Sequence, residues 1–331
     1  MDATIKDVAK AAGVSVATVS RVLNKTAVVS NATTQQVMDA VEKLHYSPNF
    51  LGRNLRRCET NVILSILPTT NESYYGEIIR GMQEAAASWG YGLLLGMSYG
   101  LLETEMRHLS MLYNRTVDAA ILLGTQLDAD TLNQLNQKYA VALCCERVEG
   151  AELLTVTVDN ENGAYSAVSA LIEKGHTKIG MISTTGHALS SIDREIGYVR
   201  ALRDHGLTPQ NEYMYLNTYD SVNGALALDY FMELKEPPTA IFAISDSLAA
   251  AAIKRAAERG LQVGKDLAII GFDNISLCEM YMPTISTVAQ PCYQMGRRIV
   301  EALLQQLDTG HKLNERINMP FSLILRESTG D

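Results

Sequence analysis

No apolar run in this 331-residue chain approaches the roughly eighteen residues that a membrane-spanning helix requires, and the opening MDATIKDVAK holds no hydrophobic signal core. Both absences point to a cytoplasmic protein without a membrane partner. Cysteine is sparse: Cys58, Cys144, Cys145, Cys278 and Cys292 are odd in number, and no pair has CxxC spacing. Reduced thiols in a reducing compartment are the simplest reading. The neighbours Cys144 and Cys145, in the run VALCC, leave two readings open: a thiol sensor or soft-metal site, or the small buried hydrophobes that strand cysteines usually are. Also missing are a Gly-rich phosphate loop, a G-x-S-x-G elbow, an HExxH helix and any Cys/His cluster at metal-ligand spacing. These omissions argue against an enzyme, and no metal or cofactor is expected.

What is present is ordinary globular composition, 47% hydrophobic and 20% charged, in a chain long enough for two or three cores. The net charge of −9 argues against nucleic-acid binding until it is divided along the chain. Residues 1–57 carry eight basic side chains against four acidic ones, a balance of +4, which leaves −13 on the remainder. Such asymmetry suits a small head that faces DNA on an acidic body that the phosphate backbone repels.

The head reads as three short helices. Thr4 followed by Asp7 has the form of an N-cap with an acidic partner, and Ile5, Val8 and Ala9 give a one-sided apolar face to a first helix over about Ile5 to Ala12. Gly13 stands where a left-handed residue reverses the chain, and Ser15 is an N-cap for a second helix containing Val19, Val22 and Leu23. A third follows Ser30, with Val37, Val41 and Leu44 on one face. Helix, short turn, helix is the spacing of a helix-turn-helix. If the second helix enters the major groove, Val16, Ala17 and Arg21 meet base edges. The first two suit thymine methyls, and a bidentate Arg21–guanine pair is worth roughly 1–3 kcal/mol of discrimination. Taken alone, Arg21 also fits an ordinary solvent-facing helix.

The runs TIKDVAKAAGVSVATVSRVLN and VSNATTQQVMDAVEKLHYSPN resemble the lactose-repressor and purine-repressor family (LacI/GalR type), and the similarity continues through most of the chain. The resemblance implies that Val16, Ala17 and Arg21 read bases of a palindromic double-stranded operator. Thr4, Ser15, Thr18, Ser20, Asn24 and Thr33 are then its candidate backbone and phosphate contacts. The family often has arginine after the threonine of the third helix, where this chain has Thr34 after Thr33.

Residues 48–59, PNFLGRNLRRCE, form a short basic segment. A helix of about eight residues is below the roughly 12–15 needed for marginal stability in water. Gly52, where relatives commonly have alanine, weakens it by up to about 1 kcal/mol more. By its residues the segment is either a flexible tether or a helix that forms when two copies meet in the minor groove with Leu55 as an apolar wedge. The family pattern selects the wedge, with Asn49 and Arg53 beside it among the DNA contacts.

From Val62 onward the runs VILSIL, GLLLGM, AAILLG, AVALCC, KIGMIS, AIFAIS and LAIIGF alternate with longer amphipathic stretches. That is βαβ rhythm, and it predicts parallel sheets with helices on both faces. The resemblance implies an all-α head over 1–47, a hinge over 48–59 and a two-lobed α/β body like a periplasmic binding protein, with two doubly wound sheets. Lobe 1 is expected over about 60–158 and 288–320, and lobe 2 over about 159–287 and 321–331. Ligands gather at the carboxyl ends of such strands, which singles out Glu146, Ser245, Asp246 and Asp273. The family pattern adds Arg194, three residues before the glycine of REIGY, and the rings of Tyr74, Tyr75 and Tyr219. Carboxylates and a guanidinium around a cleft match vicinal hydroxyls, and an aromatic face matches the apolar side of a sugar ring. The expected effector is a sugar or sugar derivative, with purine-like recognition the more distant alternative. Read singly, a loop aspartate is more often a helix cap and a tyrosine more often covers a core edge. Glu146 replaces the more usual aspartate, and its extra methylene is expected to shrink or re-aim the pocket. His176, in KGHTKIG, matches a family turn and is expected to be structural.

A hydrolase with a DNA-binding head would need a catalytic motif that is missing. A solute-binding protein would need a signal peptide and no head, and an architectural DNA binder leaves the cleft without a use. The expectation is therefore a homodimeric repressor whose effector alters lobe closure, hinge folding and operator affinity. The lack of a heptad stretch after Asp331 favours a dimer over a tetramer.

Overall fold

The computed structural model describes residues 3–24, 27–46, 59–69, 73–186, 188–218, 220 and 222–331. Asn49, Arg53 and Leu55 of the expected hinge, and Tyr219, lie outside the described residues. The chain divides into two units between Glu59 and Thr60.

In the first unit, α1 (Ile5–Ala11), α2 (Val16–Asn24) and α3 (Asn31–Lys43) surround Val8, Ala9, Val19, Val37 and Ala40. Local chemistry sets each helix start. The Asp7 carboxylate accepts the Thr4 N–H at 2.9 Å and the Thr4 hydroxyl at 2.7 Å, and these bonds hold its pKa below the ordinary value. Gly13, at φ +65°, makes the left-handed turn out of α1. Ser15 Oγ accepts the Thr18 N–H at 3.1 Å to open α2, and Ser30 Oγ accepts the Thr33 N–H at 3.2 Å to open α3.

The second unit begins with β1 (Val62–Leu67), α4 (Ser73–Ser88), β2 (Gly92–Met97), α5 (Leu102–Tyr113), β3 (Ala119–Leu122), α6 (Ala129–Lys138), β4 (Ala140–Cys144) and β5 (Leu154–Val158). The chain then crosses to α7 (Asn160–Glu173), β6 (Ile179–Thr184), α8 (Leu189–Asp204), β7 (Met214–Asn217), α9 (Val222–Met232), β8 (Ala240–Ala243), α10 (Asp246–Glu258), β9 (Ala268–Asp273), α11 (Leu277–Met280) and β10 (Ser286–Ala289). It returns as α12 (Cys292–Thr309), packed on α4, β4 and β5, and as β11 (Arg316–Met319) beside β5. A final crossing brings β12 (Ser322–Ile324) to β10. Two six-stranded sheets result, ordered β11-β5-β4-β3-β1-β2 and β12-β10-β9-β8-β6-β7, one per lobe. Among the described strands only the β10–β12 pair is antiparallel.

Strands β3, β4, β6, β8 and β9 are buried along their whole length, which is why they stand out as apolar runs, whereas β5, equally buried, alternates threonine with apolar residues and does not. Three segments join the lobes, at residues 158–160, 289–292 and 319–322, so the strand ends of both sheets meet at one cleft. Helix α8 lies against α7 at Gly197, where a Cβ would stand 2.2 Å from the Glu161 carbonyl oxygen. Only glycine permits that approach, and it sets the position of the preceding turn of α8. Among the described residues no helix is long and apolar enough to cross a membrane.

Candidate functional site

Helix α2 is two-sided. Val19 is fully buried, while Val16, Ala17 and Arg21 are exposed together on the outer side. The polar candidates lie at helix starts: the Ser15 and Thr18 hydroxyls share a 2.8 Å hydrogen bond, as do those of Ser30 and Thr33, and Thr4 opens α1. Helix N-termini with hydroxyls beside them favour anions, because their N–H groups lack helical partners. Ser20 is half-buried, and Asn24 closes α2 with its side chain outside the description.

In the body, Arg194 is held on several sides. Its Nε donates to Asn160 Oδ1 at 2.9 Å, Nη1 donates to the Ile244 carbonyl, and the guanidinium lies 3.6 Å from the Phe272 ring centroid. Nη2 is 3.7 Å from Asp273 Oδ1, an ion-pair distance rather than a hydrogen bond, with the Arg194 side chain only 11% exposed. Asp273 Oδ1 accepts Gln290 Nε2 at 2.7 Å, and the Tyr74 hydroxyl donates to Gln290 Oε1 at 3.4 Å. One chain of contacts therefore runs from Tyr74 in lobe 1, through Gln290 in a crossing segment, to Asp273 and Arg194 in lobe 2. Tyr75 packs edge-on against Tyr74, ring centroids 5.3 Å apart. Burial, then the proximity of Cys145, Cys292 and Asp273, raises the Tyr74 pKa, so the phenol stays a neutral donor.

Glu146 reaches lobe 2 from the loop after β4. Its carboxylate accepts the Ser190 hydroxyl and, at 3.2 Å, the Ser190 N–H in the first turn of α8. Burial raises its pKa, while the Ser190 bonds and then Arg194 pull it down. Next to it, Arg147 Nη2 donates to Asp193 Oδ1 at 2.7 Å. A cavity of ≈ 660 Å³ opens on the side lined by Tyr74, Asp273, Asn274, Gln290 and Cys292, with Arg194 and Glu146 outside its wall. That volume lies within the usual range for small-molecule pockets. The backbone bordering the cleft is strained: Cys145, Asp273 and Asn274 have φ of +74°, +116° and +58°, which costs of order 1–3 kcal/mol each and tends to occur where function requires a side chain to be aimed.

Ser245 and Asp246 are engaged inside the fold. Ser245 Oγ accepts the Leu248 N–H at 3.3 Å as the cap of α10. Asp246 Oδ1 accepts the Thr287 hydroxyl at 2.6 Å and Oδ2 the Ile275 N–H at 3.0 Å, tying α10 to the loop that follows β9. Burial raises its carboxyl to about 6, against partial offset by those bonds. A carboxyl raised above its unfolded value stabilises the fold when protonated, below about pH 4, and that stability is lost as pH rises through about 6. Because asparagine does not titrate, the stability of the wild type relative to Asp246→Asn should rise by about 2 kcal/mol between pH 7 and pH 4 in urea melts. A gap that does not change with pH would contradict the burial of this charge.

Asn160, Ser190, Asp193 and Gln290 join the site without having been singled out by the sequence. Gln290 directly follows β10 and Asn160 closely follows β5, but neither strand is among the apolar runs that marked strand ends in the sequence. Cys144 is fully buried and Cys145 nearly so, with sulfurs 3.7 Å apart, and the described residues hold no cluster of three His, Cys, Asp or Glu fit for a metal ion.

Residues 4–49 match the family described as bacterial regulatory proteins, lacI family, and residues 168–329 match the periplasmic binding protein-like domain. The repressor CytR of Escherichia coli K12 is 37% identical over 328 residues, covering 99% of this chain and 96% of its own. The NTD biosynthesis operon regulator NtdR of Bacillus subtilis is 33% identical over 327 residues, covering 98% and 99%. In fold, the chain is similar to the operator-bound Lac repressor dimer, with a TM-score of 0.90 at 23% identity and 99% coverage of both chains. It also resembles the transcriptional regulator CelR in complex with cellobiose, with a TM-score of 0.75 at 26% identity, covering 98% of this chain and 99% of that one. With a helix-turn-helix head, a two-lobed α/β body and regulators as relatives along its full length, this chain belongs to the LacI family of bacterial regulatory proteins and is a DNA-binding transcriptional regulator.

Proposed function

We propose that the protein is a repressor whose operator affinity is set by a small sugar-like metabolite bound between the lobes. The observation that carries this reading is Arg194, a guanidinium fixed in lobe 2 beside Asp273 and Asn160 and within electrostatic reach of Glu146 of lobe 1. With Glu146, Gln290 and the Tyr74 ring it offers donors, acceptors and an aromatic surface suited to a polyol ring. The cellobiose complex of CelR, a relative of similar fold, supports a sugar as the chemical class.

In this reading Val16, Ala17 and Arg21 read bases, Thr4, Ser15, Thr18, Ser20, Asn24 and Thr33 contact the DNA backbone, and residues 48–59 couple head to body. A homodimer on a palindromic site is supported by apolar surface on both lobes. Leu94, Leu95, Tyr99, Leu101 and Leu102 are exposed on the first, and Met280 and Met282 border a shallow hollow on the second.

A thermal-shift screen of the purified protein against mono- and disaccharides including cellobiose, polyols, sugar phosphates and purines tests the reading. A true effector at a hundredfold excess over its Kd should raise the melting temperature by on the order of 5–10 °C. If nothing in the set stabilises a protein that still holds its operator, the cleft is not a metabolite site.

A further inference from the structure

We infer that Arg147 is a positioning residue that sets how far the two lobes close over the cleft, through its bridge to Asp193. The inference rests on the cleft being the effector site, but its mechanics involve only the protein. Arg147 belongs to the lobe 1 loop between β4 and β5, and Asp193 to α8 of lobe 2. Their contact, at 2.7 Å, joins the lobes through side chains rather than through a chain crossing, with those side chains 23% and 12% exposed. The same guanidinium holds Glu149 of its own loop at 2.9 Å, although that carboxylate is 87% exposed. The guanidinium presents one Nη to each partner in a fixed plane, a geometry that the rotatable ammonium of lysine does not impose.

The register makes this contact a lever on the site. Glu146 and Arg147 are consecutive, and they engage Ser190 and Asp193, which are three residues apart and so share one face of α8. Arg194 follows directly and projects to Asn160 and Ile244. A turn of helix anchored to lobe 1 by two residues thus carries the guanidinium of the effector site, and a shift of one moves the other. Closure also has a cost: Arg147 Nε is shut from solvent and has no hydrogen-bond partner among the described residues. Without the guanidinium, the nearly buried Asp193 carboxylate loses its counter-charge, and parting of the lobes offsets that loss by hydrating it.

The test measures distances between spin labels by pulsed electron resonance in full-length, effector-free protein. Labels are attached through a genetically encoded keto amino acid at the exposed positions Lys138 in lobe 1 and Arg203 in lobe 2, with labelled chain diluted in unlabelled. Arg147→Ala and Asp193→Ala should each displace the inter-lobe distance distribution by several ångströms in the same direction. The exchanged pair, Arg147→Asp with Asp193→Arg, should return it, and Glu149→Ala should leave it unchanged. Unmoved distributions in the single variants, an equal displacement by Glu149→Ala, or no recovery in the exchanged pair would overturn the proposal. Because no ligand enters this measurement, a failed effector screen and a failed bridge remain separate results.

Discussion

Replacing Arg194 by alanine should abolish the thermal shift given by any ligand that stabilises the wild type. Removing one partner of a buried, hydrogen-bonded charge typically costs 2–5 kcal/mol of binding, roughly 30- to 4,000-fold in Kd. The side chain also supports the fold, since its loss leaves the Ile244 carbonyl and Asn160 Oδ1 without their guanidinium donor. Alanine should therefore lower the melting temperature as well. Arg194→Lys separates the two effects. Its ammonium keeps a positive charge near Asp273 and recovers part of the stability, but it cannot reach Asn160 and Ile244 together, so ligand binding should stay lost. Calorimetric titration of both variants is the measurement, and wild-type affinity in either would remove Arg194 from the site.

On the head, Arg21→Ala should weaken binding to a preferred operator by about 1–3 kcal/mol, roughly five- to 150-fold, while random duplex of equal length is affected far less. Arg21 is exposed on the side of α2 away from Val19, so its removal leaves the three-helix core intact and the melting temperature near that of the wild type. Anisotropy titrations on specific and random DNA at one fixed salt concentration provide the comparison. Equal losses on both would make Arg21 a phosphate contact rather than a base reader.

The three head helices were legible because their boundaries are local. Thr4 with Asp7, Gly13, Ser15 and Ser30 fix each start and turn within a few residues, with no help from distant chain. Most body strands were legible for a different reason: covered on both faces, they stand out as apolar runs, although β2 does so while largely exposed and the buried β5, with its alternating threonines, does not. The cleft was legible only in part. Position after a strand marks Ser245, Asp246 and Asp273 alike, yet Ser245 caps a helix and Asp246 ties α10 to Ile275 and Thr287, while Asp273 stands beside Arg194. What separates them is direction, and direction comes from backbone such as the positive φ of Asp273, which no residue pattern encodes. Gln290, Ser190 and Asp193 were illegible because they reach the site through chain crossings and lobe closure, contacts that link residues 44 to 216 positions apart.

The central claim is that cleft and operator are coupled. The direct measurement is a titration of full-length protein onto operator duplex, without ligand and with a saturating amount of the compound that stabilises the body. Coupling predicts an operator Kd shifted by about 1–3 kcal/mol, five- to 150-fold, with random DNA unmoved and no shift in Arg194→Lys. A compound that raises the melting temperature through the cleft yet leaves the operator Kd unchanged would contradict the account.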